Sequence, residues 1–490
     1  MSDLSHLPAQ TLHLARSAGP GLPPEIPVLA DGLRIQARSV QGVFTRWRWA
    51  FVWATQLLFY GLPWAIWEGH PAVWFDLEGR RFHLLGAVLF PQDLIYLTGL
   101  LVFSALLLFL ATTLAGRVWC GFSCPQTVYT EIFQWVEHHT EGDRQARLRL
   151  DAAAWGPRKL LRRGGKHALW ALIGLWTGLT LVGYFTPIRS LLPAVAQGAL
   201  GPWEAFWVLF YGAATYLHAG VLREKVCQHM CPYGRFQAAL MDRDTLIVAY
   251  DSHRGEPRGS RPRGTDARVL KQGACVDCTL CVQVCPVGID IRQGLQAACI
   301  ACGACIDACN RVMDQLKAPR GLVRLTTPRS LEGDGVNSVG GPRWLALARP
   351  RVWLYGGLLS LVGVALVWGW LQRPTLRLNA MRDRSVMTRQ VGQGEVENLY
   401  RLQLMNASGQ PQRVRLHVSG AQGLTLLDAE PVLLEPAGAQ TQSVRVRMAS
   451  VQAQSLAGQI VPIRFELRAE PDQGEAGLRA DTASTLVLPR

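Results

Sequence analysis

Two short cysteine runs constrain this chain more than anything else in it. "CVDCTLCVQVCP" sets Cys275, Cys278, Cys281 and Cys285 in the spacing Cys-x-x-Cys-x-x-Cys-x-x-x-Cys, and "CIACGACIDACN" repeats it with Cys299, Cys302, Cys305 and Cys309. Three closely spaced thiolates can each take one iron of a cubane, while the fourth, too far along to close its own site, reaches the neighbouring cluster. That crossing predicts Cys275, Cys278, Cys281 and Cys309 around one [4Fe–4S] cluster, and Cys285, Cys299, Cys302 and Cys305 around a second. Zinc modules usually present two Cys-x-x-Cys pairs without the further Cys at these offsets, so a pair of zinc sites fits poorly. Pro286 follows the first run, whereas Asn310 stands at the equivalent place after the second, where the chain is expected to turn differently.

All twelve Cys lie between positions 120 and 309. Clustering of this kind reads as metal or redox chemistry in a reducing compartment, because a disulfide framework spreads its Cys through a small secreted domain. A chain of 490 residues with 17 Trp and a positive mean hydropathy reads as a multidomain membrane protein. Five apolar stretches are expected to span a bilayer: Ala50–Trp67, Leu94–Gly116, Ala168–Ile188, Ala205–Leu222 and Val352–Gln372.

The net charge of +14 follows topology more than nucleic acid. The connections 68–93 and 189–204 hold two and one Lys or Arg, against nine in 117–167 and nineteen in 223–351. Basic loops stay in the cytoplasm. This places the N-terminus and the cluster module on that side, and everything past the fifth span in the periplasm of a bacterial inner membrane. Arg373, Arg377, Arg382, Arg384 and Arg389 run against the rule, but long translocated domains are largely exempt from it.

The resulting division is a polar arm at 1–45 without the apolar core of a signal peptide, a four-helix membrane domain at 46–250 and a basic linker at 251–268. A two-cluster ferredoxin α+β module follows at 269–330, then a linker with the fifth helix at 331–373. After Thr375 short alternating runs separated by Gly, Pro, Asn and Asp predict about seven strands, an immunoglobulin-like β-sandwich at 374–490. The Arg-rich linker has no aromatic interleaving, which argues against nucleic-acid binding.

The membrane part contains a repeat. Each helical hairpin ends in Cys-x-x-x-Cys-Pro: "CGFSCP" at Cys120 and Cys124, "CQHMCP" at Cys227 and Cys231. A continuing helix would set each pair on one face; a new helix opened by the Pro would set the second thiol at an N-terminus, where the dipole favours thiolate. Soft thiolates select Cu(I), zinc or iron–sulfur clusters. Buried structural Cys is the plain alternative for one pair, and the duplication argues for a metal or redox role. His229 and Met230 inside the second motif are candidate additional ligands. His218 is the ionisable residue within the spans and draws attention for that reason.

With "CGFSCP", "CQHMCPYGRFQ", the double cluster motif, the tail "DACNRVMDQLKAPRGLVRLTT", a fifth span and an Ig-like end, the sequence resembles, over essentially its whole length, the cytochrome c oxidase accessory proteins of the CcoG/FixG/RdxA family. The resemblance implies a metal reductase, an electron-transfer enzyme that converts Cu(II) to Cu(I) for assembly of the copper–haem centre of cbb3-type oxidases. Its copper-handling residues would be Cys120, Cys124, Cys227 and Cys231, its cofactors two [4Fe–4S] clusters, and copper its substrate. Membrane lipid, a copper transporter or chaperone and oxidase subunits would be its partners; self-association stays open, and nucleic acid is not expected. Two competing readings are a NapH/NosR-like conduit, carrying electrons between quinol or a cytoplasmic donor and a periplasmic partner, and a non-redox assembly scaffold.

Overall fold

The computed structural model describes residues 35–261, 270–332, 349–382, 388–392, 394–408, 410–470 and 478–489. Most of the N-terminal arm, 262–268 of the basic linker and 333–348 of the later linker fall outside that description. Eight helices position the chemistry: α1 (Val43–Gly61), α2 (Leu94–Ala115), α3 (Pro125–Thr140), α4 (Pro157–Val182), α5 (Pro202–Thr215), α6 (Pro232–Leu240), α7 (Ala304–Gln315) and α8 (Pro350–Leu371).

Among the described residues three helical segments are long and apolar enough to cross a membrane: Pro91–Ala115, Pro202–Leu222 and Pro350–Leu371. The other two expected spans are helices with different limits. The first begins at Val43, so that Arg46 and Arg48 lie inside it, and stops at Gly61, where Pro63 starts a 3-10 turn. The third begins at Pro157 and takes in five Lys and Arg before its apolar half, ending at Val182. These charges dilute both helices. Close backbone approach joins α4 to α5: a Cβ on Gly178 would stand 2.3 Å from the Val208 carbonyl oxygen, and one on Gly174 would stand 2.7 Å from that of Gly212. Small residues four apart permit that spacing between packed apolar helices. Tyr96 of α2 likewise donates to the Gly369 carbonyl of α8 at 2.8 Å.

At the N-terminal end of α2 the connection 68–93 is folded. Strands β1 (Val73–Asp76), β2 (Arg81–Leu84) and β3 (Ala87–Leu89) form an antiparallel sheet beside a two-residue hairpin, Ile66–Trp67 with His70–Pro71. Val88 and Phe90 pack on Met405 and Ala437 of the C-terminal domain. Buried Asp93 receives Arg373 at 2.8 Å and Arg377 at 2.7 Å. Two of the arginines that contradicted the charge rule are thus neutralised locally.

The C-terminal domain is a sandwich of nine strands among the described residues. One sheet runs 424–427, 439–448, 395–406, 376–382, with 389–391 also on 395–406; the other runs 432–434, 412–419, 460–469, 479–487. Inward positions alternate along each strand, so Tyr400, Leu402, Leu404, Val444 and Val446 meet Phe465, Leu467 and Leu486. The expected seven strands omitted Leu376–Arg382 and Arg389–Val391 because their arginines read as membrane-flanking charge.

The cluster module begins earlier than position 269. β4 (Ile247–Tyr250) pairs antiparallel with β5 (Val323–Thr326), closing the module from both ends. The described part of the basic linker is not a solvated arm. Arg254 donates to the carbonyl of Arg320 at 2.9 Å, and Arg261 to that of Gly273 at 2.7 Å.

Candidate metal centre

Two small chambers of similar size lie in the module. Cys275, Cys278, Cys281 and Cys309 line the first with Leu280, Val312 and Leu322. Cys285, Cys299, Cys302 and Cys305 line the second with Val287, Ile289 and Ile300, and Cys281 stands between the two. The fourth Cys of each run is therefore beside the other run's chamber. Four thiols facing one apolar chamber form the donor set a cubane takes, one thiolate to each iron, so the ligands stand around the space without converging on one point. Among the described residues no three His, Cys, Asp or Glu side chains meet closely enough for a single ion, in the chambers or among Cys120, Cys124, Cys227 and Cys231. Burial pushes Cys281 and Cys285 up to about 12 and Cys309 to about 11. Asn310, at the place of the second Pro, accepts from the Gly321 amide at 3.0 Å and so ties the end of the run to the strand that follows.

Each Cys-x-x-x-Cys-Pro motif bends at its Pro. Cys124 is the N-cap of α3 and Cys231 that of α6, with Pro at the first helical position in both. Cys120 sits in the single helical turn Val118–Phe122 and Cys227 in the π-turn Val226–Met230. The repeat extends to the backbone. Four residues before each first Cys, Gly116 has φ 60 and ψ −124, and Arg223 has φ 44 and ψ −114. Glycine adopts that conformation freely; Arg223 has to be held there. Glu137 receives it at 2.6 Å, the Trp170 ring lies 5.4 Å from its guanidinium carbon, and its Nε donates to the Gly220 carbonyl.

The first motif lies against the second chamber. Cys120 packs in one apolar cluster with Cys285, Cys302 and Cys305. A Cβ on Gly121 would stand 2.7 Å from the Ile300 carbonyl oxygen and 3.0 Å from the Cys302 amide nitrogen. Arg117 binds the carbonyls of Ala297, Cys299 and Gly234, tying that chamber's loop to both motifs. From the module side, Asp307 of α7 accepts from the amides of Phe44 and Thr45 at the start of α1.

The structure gathers Cys120, Cys124, Cys227 and Cys231 into one neighbourhood, each within electrostatic reach of the others. Burial pushes Cys120 up to about 11, against a hydrogen bond from Gln237 that favours the thiolate. Burial also raises Cys124, and the amides of Gln126 and Thr127 at the start of α3 partly offset it. Cys227 is pushed to about 12 by burial and by the other thiols. His229 and Met230 are exposed. At His218 the carbonyl takes part in the packing, accepting from Gln126 at 2.9 Å. Sequence reasoning missed Arg117, Gln237 and Glu137; each is a polar residue in an apolar setting, a signal that shows only after the helices are placed.

Family models match three segments: a 4Fe-4S binding domain at 97–142, a 4Fe-4S dicluster domain at 222–328, and the IG-like fold at the C-terminus of FixG at 366–489. Protein RdxA of Cereibacter sphaeroides is 39% identical over 404 residues, 81% of this chain and 85% of that one. Nitrogen fixation protein FixG of Rhizobium meliloti is 36% identical over 451 residues, covering 86% and 85%. A crystal structure of a FixG-related protein from Vibrio parahaemolyticus aligns with 24% of this chain and 97% of its own at 21% identity and a TM-score of 0.19.

Proposed function

The chain belongs to the FixG/RdxA family, and from that premise we propose that it reduces Cu(II) to Cu(I) at Cys120, Cys124, Cys227 and Cys231 for assembly of the copper–haem centre of a cbb3-type oxidase. The observation that carries the reading is the packing of Cys120 in the same apolar cluster as Cys285, Cys302 and Cys305. One-electron transfer is the chemistry the two clusters supply when bound by the eight module cysteines.

Residues of the chain set the direction. Cys278 is the exposed thiol of the first chamber, so a cytoplasmic donor docks there. Cys120 abuts the second chamber and is the exit. Cu(II) gains one electron and leaves as Cu(I), which needs few ligands and passes by thiolate exchange to a carrier. The amides of Gln126 and Thr127 at the start of α3 favour the anionic sulfur of Cys124 against the effect of its burial. No side chain has to move a proton between substrate atoms. In this reading α1 and α4 join the three apolar segments as five spans, with the module in the cytoplasm and the sandwich in the periplasm; the Lys and Arg bias of the loops supports it.

The test is anaerobic. Protein in detergent with reduced clusters receives stoichiometric Cu(II), and cluster bleaching is followed beside a Cu(I)-specific chromophore. Wild type should bleach and produce Cu(I), while a variant with Ser at all four positions keeps its clusters reduced. Equal behaviour of the two proteins would remove the thiols from the reaction.

The match of the first motif to a 4Fe-4S binding domain favours a second reading, an electron conduit in which the four thiols hold a further cluster. Iron content separates the two. The four-Ser variant should keep the full wild-type iron as a copper reductase and lose about a third of it as a three-cluster conduit.

A further inference from the structure

We infer that His70 and His83 form a site for Cu(I) at the end of α2 remote from Cys120. The cavity there, about 360 Å³, opens between the folded connection and the sandwich and is lined by Trp67, Glu68, His70 and His83 on one side and Ser408, Gln410 and Ala437 on the other. His83 has 6% of its surface exposed. No hydrogen bond to the imidazole of either His70 or His83 exists among the described residues, and both residues line the cavity. The two rings lie 4.8 Å apart between centroids, and Trp74 stacks on His83 at 5.0 Å and 15°.

Three features fix His83 in place, and the hairpin that pairs His70 with Trp67 carries the other ring. β2 carries His83 opposite Trp74 on β1 and Val88 on β3; Trp74 is held by its indole N–H on the Phe185 carbonyl at 2.8 Å; and Val88 is packed against Met405 and Ala437 of the sandwich. Rings so held can present one unprotonated nitrogen each to an ion between them. The number of ligands selects the metal. Zinc takes four protein ligands in structural sites and three in catalytic ones, and hard cations take carboxylate and carbonyl oxygens. No third His, Cys, Asp or Glu joins the pair closely enough among the described residues. Two imidazole ligands suit monovalent copper, the ion of low coordination number. Binding moves no electron.

This site goes beyond the thiol centre and stands without it. Its position matters because α2, about 33 Å long at 1.5 Å per residue, separates it from Cys120. One chain would then handle Cu(I) at both ends of a span, with the sandwich forming a wall of the second site.

The experiment uses full-length protein in detergent with loaded clusters and Ser at positions 120, 124, 227 and 231, so that only the second site remains. Cu(I) is titrated anaerobically against a Cu(I) chelator, and the bound ion is examined by X-ray absorption. One equivalent should be retained, with nitrogen donors and no sulfur, and should be lost with His70→Ala and His83→Ala while cluster absorbance stays unchanged. Because the spectrum is taken with both histidines present, it reads the site even if the double variant misfolds. Retention of no Cu(I), sulfur in its coordination shell, or displacement by an equal concentration of Zn(II) overturns the proposal. His70→Ala and His83→Ala in the four-thiol protein should still reduce Cu(II), so failure here and failure of the reductase reading give different results.

Discussion

Gln237 Nε2 donates to Cys120 Sγ at 3.1 Å from a side chain with no exposed surface. Its Oε1 is buried without a hydrogen-bond partner, which costs about 1–3 kcal/mol. An amide kept at that cost is placed for its nitrogen, and the nitrogen faces the sulfur that abuts the second chamber.

Gln237→Leu should therefore raise the Cys120 thiol further and weaken Cu(I) binding about ten-fold, as loss of a roughly 1.5 kcal/mol hydrogen bond to an anionic sulfur implies. Alkylation of Cys120 followed by mass spectrometry should slow in the variant at a fixed alkaline pH. An unchanged rate would mean that the contact is packing alone.

Gly121→Ala tests the distance between thiol and cluster. The new Cβ would meet the Ile300 carbonyl and the Cys302 amide, and overpacking of this kind costs about 1–3 kcal/mol. The loop bearing the second chamber has to yield. Clusters should still load, and the rate of their reoxidation by Cu(II) should fall at least several-fold. Stopped-flow absorbance reads both quantities in one trace; wild-type rates would detach electron transfer from this contact.

Copper capture should depend on pH with a definite sign. Burial holds Cys120 near 11 and Cys227 near 12, so both are protonated at neutral pH and the metal has to displace their protons. Falling pH strengthens that competition, and apparent affinity should drop by up to about ten-fold per unit for each proton released. The dependence persists upward until those thiols titrate. Proton release in weakly buffered solution measures it directly, and an affinity flat between about pH 6 and 8 would take the metal away from these sulfurs.

Cysteine spacing made the two chambers legible because a run of Cys-x-x-Cys-x-x-Cys dictates its own local geometry, and Cys309 has to go where its helix carries it. The bends at Cys124 and Cys231 were half legible: Pro125 and Pro232 allow a new helix, but whether the old one continues depends on contacts sequence does not display. Gly116 and Arg223 adopt one backbone conformation with unlike side chains, so no shared residue marks the repeat there. The sheet at Val73–Leu89 escaped notice because each strand is three or four residues long and derives its burial from Met405 and Ala437, more than three hundred positions away. Helix limits slipped for the same reason at Val43 and Pro157, where charges pair with groups on other elements.

Arg223 supplies the last test, since it does by restraint what Gly116 does by nature. Its strained conformation costs on the order of 1–3 kcal/mol and persists only where neighbours over-determine it. Glu137 is the main restraint, taking Arg223 at 2.6 Å and Arg147 at 2.8 Å, with all three side chains almost wholly buried. Glu137→Gln removes the charge while keeping the shape. Two buried guanidinium groups then lack their counter-charge, a loss of about 3–5 kcal/mol for a broken buried pair. The melting temperature should fall by several degrees. The second motif should also lose its registration, so that Cys227 and Cys231 become more reactive to alkylation while Cys120 and Cys124 keep their wild-type rates. Adding Arg223→Gly, which frees the backbone from strain and deletes one uncompensated charge, should recover part of the stability. If the double variant is no more stable than Glu137→Gln alone, strain at position 223 is not what Glu137 holds down.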